Sequence, residues 1–408
     1  MRGPHRTQAI IRAMSAYLGH LSHPLPNRPA GAVTFSFDHV RTYGDGESIE
    51  VSAAFDENGL TLSIGETRLS PPISLTAPIP LGTREIPKPW GREIWYTGIE
   101  ARGVCTAGGA PLPVELHALN LLGLAPAEPP ILLKILDPFS QPVLGDLYYE
   151  LHREKQEVYV VTAVDRDAWP SGTGYLRYGF RDSDTETFTA DYLAAVRNYE
   201  VVRREVDALV DGMKQERGLT DPLDAETQLT LLGAIPADLS AREQVLRETM
   251  ESFTALVPVH EGDVLRIARH VPHSLQHGVR VVEFQTPHYE RLILSFAQKV
   301  VTQDSWDTEA ALAEVTASPE PVVQPGDLRR IVSFEEFTVD RIVLQPGETE
   351  MLRVDGYALL MAIDGEASVA GTSIAAESAA YLSPLVNGAD IANNGATSVT
   401  LLVAQPTS

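Results

Sequence analysis

From about residue 182 to 255 the apolar residues recur with the period of a helix; on both sides of that block they recur with the period of a strand. Tyr192, Val196, Tyr199, Val206, Val210 and Met213 fall on one helical face. Ser240 followed by Glu243 reads as a capping box ahead of Val245, Leu246, Met250 and Phe253. Before the block, Val33–Phe37, Ser48–Ala54, Leu60–Ile64, Ile131–Leu136 and Val158–Val164 carry the β-branched and aromatic residues of short strands. Asp45-Gly46 and Asn58-Gly59 mark the turns between the first three. After it, Val257–Pro258, Val264–Ile267 and Val279–Phe284 return to strand, and so does most of 328–403. The pattern predicts a mainly β chain with helices inserted at about 182–255. Ile10, Met14, Leu18 and Leu21 add the stripe of one opening helix.

Charge and cysteine content narrow the function. With 32 Lys and Arg against 55 Asp and Glu, the net charge of −23 repels a polyphosphate, so nucleic acid is not an expected partner. A small anion needs a local cluster of cations. Cys105 stands alone, which excludes an intrachain disulfide and a cysteine-based zinc cluster. The most apolar stretch, 119–136, holds Glu128 and three prolines, so no membrane span is expected, and the N-terminus lacks the apolar core of a secretory signal. A cytoplasmic location is the expectation. No Walker loop, Gly-x-Gly-x-x-Gly, Gly-x-Ser-x-Gly or Cys-x-x-Cys is present, which disfavours nucleotide-dependent transfer and serine hydrolysis.

Histidines and carboxylates concentrate in two places. In GDLYYELHREKQEVYVV (Gly145–Val161), Glu150 and His152 are two apart, so on a strand they share a face. Glu157 follows within reach of a tight turn. In HEGDVLRIARHVPHSLQHG (His260–Gly278) the histidines thicken again, and five of the 11 in the chain fall between His260 and His288. A divalent metal needs three or four N/O ligands at about 2.0–2.2 Å, and imidazole with carboxylate suits Zn, Fe, Mn or Ni. A Glu-x-His pair on an exposed strand is usually a solvated face, and lysines such as Lys134 and Lys155 are more often solvated than substrate-facing. Trp90 and Trp95 read as packing aromatics. Residues 328–408 contain neither His nor Cys, so no typical metal site is expected there.

The two motifs, in order, resemble the signatures of the cupin barrels. Gly145 opens the first, Glu150 takes the place of its first His, His152 that of its second, and Glu157 that of its carboxylate. Gly262 and His273 stand eleven apart as the second requires, with Ala268 in the Pro slot and His270 in the Gly slot. A narrower resemblance is to the type I, metal-dependent mannose-6-phosphate isomerases. It is carried by PKPWGREIWYTG (Pro87–Gly98), LLKILD (Leu132–Asp137), Glu150-x-His152, Lys155-Gln156-Glu157 and GDVLRIARHVPHSLQHGVRVVEFQ. The chain departs from that pattern in four places, the first being Glu150 where the pattern has Gln. Arg153 replaces a Pro, the long loop before Lys-x-Glu shrinks to Arg153-Glu154, and Pro-His-Tyr precedes Glu290-Arg291.

The resemblance implies jelly-roll cupin domains: a metal-bearing cupin over 83–325 with its helical insertion, a linker at 316–326 and a degenerate cupin-like unit over 326–408. Residues 1–82 form a helix plus a β-rich segment that the resemblance does not cover. It further implies a divalent metal, zinc first with Fe, Mn or Ni compatible, held by Glu150, His152, Glu157 and His273. Arg291, Lys155 and Lys134 are the implied catalytic side chains, and His270, His277 and His288 spare proton-relay candidates. The implied reaction is aldose–ketose isomerisation of a sugar phosphate, mannose-6-phosphate to fructose-6-phosphate, through a cis-enediol. A non-catalytic sugar-binding cupin and an Fe(II) cupin dioxygenase remain alternatives.

Overall fold

The computed structural model describes residues 33–42, 45–56, 58–181, 183, 186–316, 322–324 and 329–407. The opening helix expected around Ile10–Leu21, and most of the 316–326 linker, lie outside them. Two compact units emerge: one takes the described residues of 1–84, 95–133 and 328–408, the other those of 85–94 and 134–327.

The first unit is mainly antiparallel sheet, with a helix at Leu112–Leu121. Val33–Val40, Ser48–Asp56, Gly59–Ile64 and Thr67–Arg68 form a meander. Its strand edges match the alternation of apolar residues: Val51, Ala53 and Phe55 are buried and their neighbours are not. An eight-stranded sheet centred on Val399–Pro406 and Ala358–Asp364 faces a four-stranded one. Leu360, Leu382, Leu401 and Val403 from the larger sheet pack with Val369, Ile374 and Ile391 from the smaller.

The second unit carries the two motifs. A seven-stranded sheet includes Val264–Ile267, Glu157–Val164, Val279–Gln285 and Leu132–Pro138 in that order. A five-stranded sheet orders Thr254–Val259, Gly174–Phe180, His273–Leu275, Tyr149–Leu151 and Leu292–Ser295. Their inner faces meet: Tyr159, Val161, Leu265, Val279 and Val281 from one join Leu176, Tyr178, Leu275 and Ile293 from the other, with Trp90 buried among them. Each such side chain contributes roughly 1.5–3 kcal/mol when taken from water.

Helices Phe188–Arg217, Ala225–Gly233 and Ala237–Glu251 stand between the strands Gly174–Phe180 and Thr254–Val259. Tyr192, Val196, Tyr199 and Val202 pack on Tyr149, Leu151, Phe180 and Leu294, the outer face of the five-stranded sheet. The first helix ends where Gly218 turns left-handed at φ 64°. One expectation is corrected here. The third helix starts at Ala237 after Pro236, whose ring fixes φ near the helical value, so Ser240 lies inside the first turn and caps nothing. Glu243 instead accepts a hydrogen bond from the Tyr199 hydroxyl at 2.7 Å, and Val245 is 61% exposed rather than packed.

Candidate metal centre

The seven-stranded sheet changes polarity along its length. Tyr159 pairs with Glu283 and Val161 with Val281, so alternation carries Val279, Val281 and Glu283 onto one face beside Val161, Tyr159 and Glu157. One end of that face is aliphatic and the other is acidic.

The two motifs meet at the acidic end. Glu150 and His273 are direct partners on neighbouring antiparallel strands, and His152 follows two residues on. Ligand atoms of Glu150, His152 and His273 all lie within 4.8 Å of one another. The rings of His152 and His273 sit 5.1 Å apart and edge-on, with exposures of only 1% and 2%. Glu157 adjoins them: its carboxylate oxygens are 3.6 Å from His152 Nε2 and 3.3 Å from His273 Nε2.

Hydrogen bonding assigns the protons. His152 Nδ1 faces the Glu290 carbonyl at 2.9 Å and His273 Nδ1 the Val271 carbonyl at 3.0 Å. A carbonyl only accepts, so each Nδ1 carries a hydrogen, and in the neutral ring Nε2 presents a lone pair. Burial first, then the Lys155 ammonium, hold the His152 imidazole well below its ordinary pKa, hence neutral. Neither Nε2 has a hydrogen-bond partner among the described residues, nor has Glu150 Oε2. The two Nε2 atoms and the carboxylates thus face a common space, an arrangement that fits a divalent cation.

Cations ring this space. Lys155 pairs with Glu157 Oε1, and Tyr159 donates its hydroxyl to Glu157 Oε2 at 2.9 Å. Burial would raise the Glu157 pKa, but the Lys155 ammonium, the largest opposing charge, outweighs it and holds the carboxyl well below its usual range. Lys134 lies 3.3 Å from Glu283 and 3.8 Å from Glu93, and Lys88 is 3.2 Å from Glu93. Burial lowers Lys134, yet Glu283 and Glu93 more than offset it, so the ammonium is held above its ordinary value. Burial and the charge of Glu157 push Glu283 well up, with the Lys134 ammonium opposing that shift. Arg291 stacks 4.5 Å over Tyr148, bonds Thr302 at 2.9 Å and reaches to 3.8 Å from Glu150.

Glu93, Glu283, Tyr148 and Tyr159 were missed in the sequence. A charged residue on the apolar face of Val-Arg-Val-Val-Glu-Phe-Gln was the available signal for Glu283. The spare histidines have other occupations. His277 bonds Asp146 at 2.7 Å under the Trp169 ring, and His288 approaches Thr286 at 3.3 Å. His270 adopts φ 63°, so it fills the Gly slot of the second motif with the backbone shape a glycine would take. Its N–H bonds the His152 carbonyl at 2.8 Å, which ties the motifs together. Relief of this left-handed strain in His270→Gly is expected to stabilise the protein by up to about 1 kcal/mol. A lower thermal midpoint for that variant would contradict the assignment of strain.

Comparison with known proteins reaches the chain through structure alone. No family model matches it, and no curated protein matches it in sequence. Among solved structures, the mannose 6-phosphate isomerase of Bacillus subtilis superposes with TM-score 0.54 at 13% identity, covering 81% of this chain and 99% of that one. A putative mannosephosphate isomerase from Archaeoglobus fulgidus gives 0.51 at 11%, covering 82% and 100%. A mutant phosphomannose isomerase of Salmonella typhimurium gives 0.51 at 12%, covering 81% and 100%. The chain has the mannose-6-phosphate isomerase fold. Its β-rich cupin architecture and the inserted helices are therefore as the sequence resemblance implied.

Within this isomerase fold a separate cavity of about 480 Å³ lies in the second unit, under the inserted helices. Val206, Val210, Leu231, Leu232 and Ile235 line it, and none of the candidate ligands does. The cations Arg203, Lys214 and Arg247 on its wall are paired with Asp207, Asp221 and Glu243. Among the described residues, no helix is long and apolar enough to cross a membrane.

Proposed function

We propose that this chain is a metal-dependent aldose–ketose isomerase acting on a sugar phosphate, with mannose-6-phosphate and fructose-6-phosphate as the substrate pair. The observation that carries this reading is the convergence of His152 and His273 Nε2 lone pairs with Glu150, in a fold shared with mannose-6-phosphate isomerases. Glu150, His152 and His273 would hold a divalent metal, zinc first, with Glu157 as the fourth ligand. When bound, such an ion supplies positive charge against the oxyanion that develops during isomerisation.

The remaining groups have assigned tasks in this reading. Arg291, stacked on Tyr148 and partly open to solvent, offsets the substrate's negative charge in a protein whose overall field opposes an anion. Lys155 carries a second positive charge at the ligand cluster, where it stabilises an enediolate. Lys134, between Glu283 and Glu93, sets the local field and keeps those carboxylates neutralised. Proton transfer between the adjacent carbons of the sugar gives the cis-enediol and then the ketose.

One observation favours a second reading. The Lys155 ammonium already compensates Glu157, as an internal cation would in a sugar-binding cupin that holds no metal. Metal content separates the two. About one divalent ion per purified chain, with mannose-6-phosphate converted in a coupled assay and mannose not, is the expected result. Under about 0.2 ion per chain and no turnover supports the non-catalytic cupin.

A further inference from the structure

We infer that Glu290 is a positioning residue for the metal centre; this rests on the metal-site reading above. Only Arg153 and Glu154 separate His152 from Lys155, and so short a connection has little internal structure with which to hold its ends. Glu290 holds it from the start of the neighbouring strand, where Leu292 pairs with Leu151. One carboxylate oxygen accepts from three consecutive backbone amides: Arg153 at 2.7 Å, Glu154 at 3.0 Å and Lys155 at 3.2 Å. Its own backbone carbonyl takes the Nδ1 proton of His152 at 2.9 Å.

A single residue therefore fixes the tautomer of one ligand and the backbone of the loop between that ligand and Lys155. Arg291 is the next residue in the chain, and two positions later Ile293 pairs with Glu150. The carboxylate suits the task because three converging N–H dipoles are best met by a full negative charge. A neutral acceptor oxygen in the same place satisfies the same amides less strongly. Partners that orient a ligand from behind typically govern 10–100-fold in metal affinity.

The test uses full-length protein freed of metal and titrated with Zn²⁺ by calorimetry and with Co²⁺ by visible absorption, which reports coordination geometry. Glu290→Ala is expected to weaken Zn²⁺ binding about 10–100-fold and to alter the Co²⁺ bands. Glu290→Gln, which keeps an acceptor oxygen for the amides, is expected to restore most of the affinity and the wild-type bands. Circular dichroism of the metal-free proteins registers any loss of fold. A wild-type spectrum and affinity in Glu290→Ala overturns the positioning role while leaving the metal site intact. Equal losses in Ala and Gln overturn it as well, since the amide cradle then does not matter. If the wild-type chain binds neither ion, the metal-site reading fails and this inference falls with it.

Discussion

On the proposed reading, His273→Ala is expected to cost the protein its metal and its isomerase activity together while leaving the fold standing. The ring is 2% exposed and its Nδ1 proton is committed to the Val271 carbonyl, so Nε2 has one direction in which to act. That direction holds Glu157 at 3.3 Å and the ligand atoms of Glu150 and His152 within 4.8 Å. Since loss of a partner behind a ligand already costs 10–100-fold, loss of the ligand itself should weaken Zn²⁺ binding by at least about a hundredfold. The metal-free fold is spared because Glu157 keeps Lys155 and Tyr159 as donors after the imidazole is gone. His288→Ala serves as the control, for that ring bonds Thr286 and takes no part in the cluster. Elemental analysis of both variants and the wild type checks the expectation. Equal metal in wild type and His273→Ala would place the ion elsewhere and remove the basis of the proposed reaction.

The candidate cluster was legible because each motif is local in the chain. Glu150, His152 and Glu157 lie within eight residues, and the strand period alone sets the first two on one face. His273 entered through its distance from Gly262, a turn glycine at φ 91° whose position the chain retains. What joins the two motifs was not legible. The pairing of Glu150 with His273 spans more than a hundred residues, and no periodicity encodes it. The same holds for Lys134 with Glu283 and for Glu290 with the 153–155 amides: the charges are visible in the sequence, but their partners are set by sheet order. Helix boundaries failed for a different reason. Ser240 and Glu243 have the capping spacing, yet Pro236 starts the helix earlier, and a local signal loses to a stiffer one next to it. In His270 the residue type of a motif was lost while its backbone shape survived, which a pattern of letters does not reveal.

The largest effect expected on stability lies away from the metal centre, at Glu115. It sits in the helix Leu112–Leu121 between Val114 and Ala118, which are also buried. Glu115 itself is 0% exposed, and neither carboxylate oxygen has a hydrogen-bond partner among the described residues. Burial pushes its pKa from the ordinary 4.5 up to about 8, and the Tyr381 phenol nearby provides no charge to oppose this. The folded state therefore keeps a proton that the unfolded chain releases at lower pH. Stability is complete below about pH 4.5, falls as pH rises towards 8, and stays low beyond it. A difference of this size between the two states is worth about 5 kcal/mol across the window. Glu115→Gln has no proton to lose, so it removes the slope while keeping side-chain volume and a polar end. Denaturant unfolding at pH 5, 7 and 9 should show the variant gaining on the wild type by about 4 kcal/mol in total, most of it between pH 5 and 7. The unpaired amide adds only a pH-independent offset, which cancels when the three differences are compared. A gap that stays constant from pH 5 to 9 would mean that Glu115 ionises freely in the native protein, and hence that water or a cation reaches it.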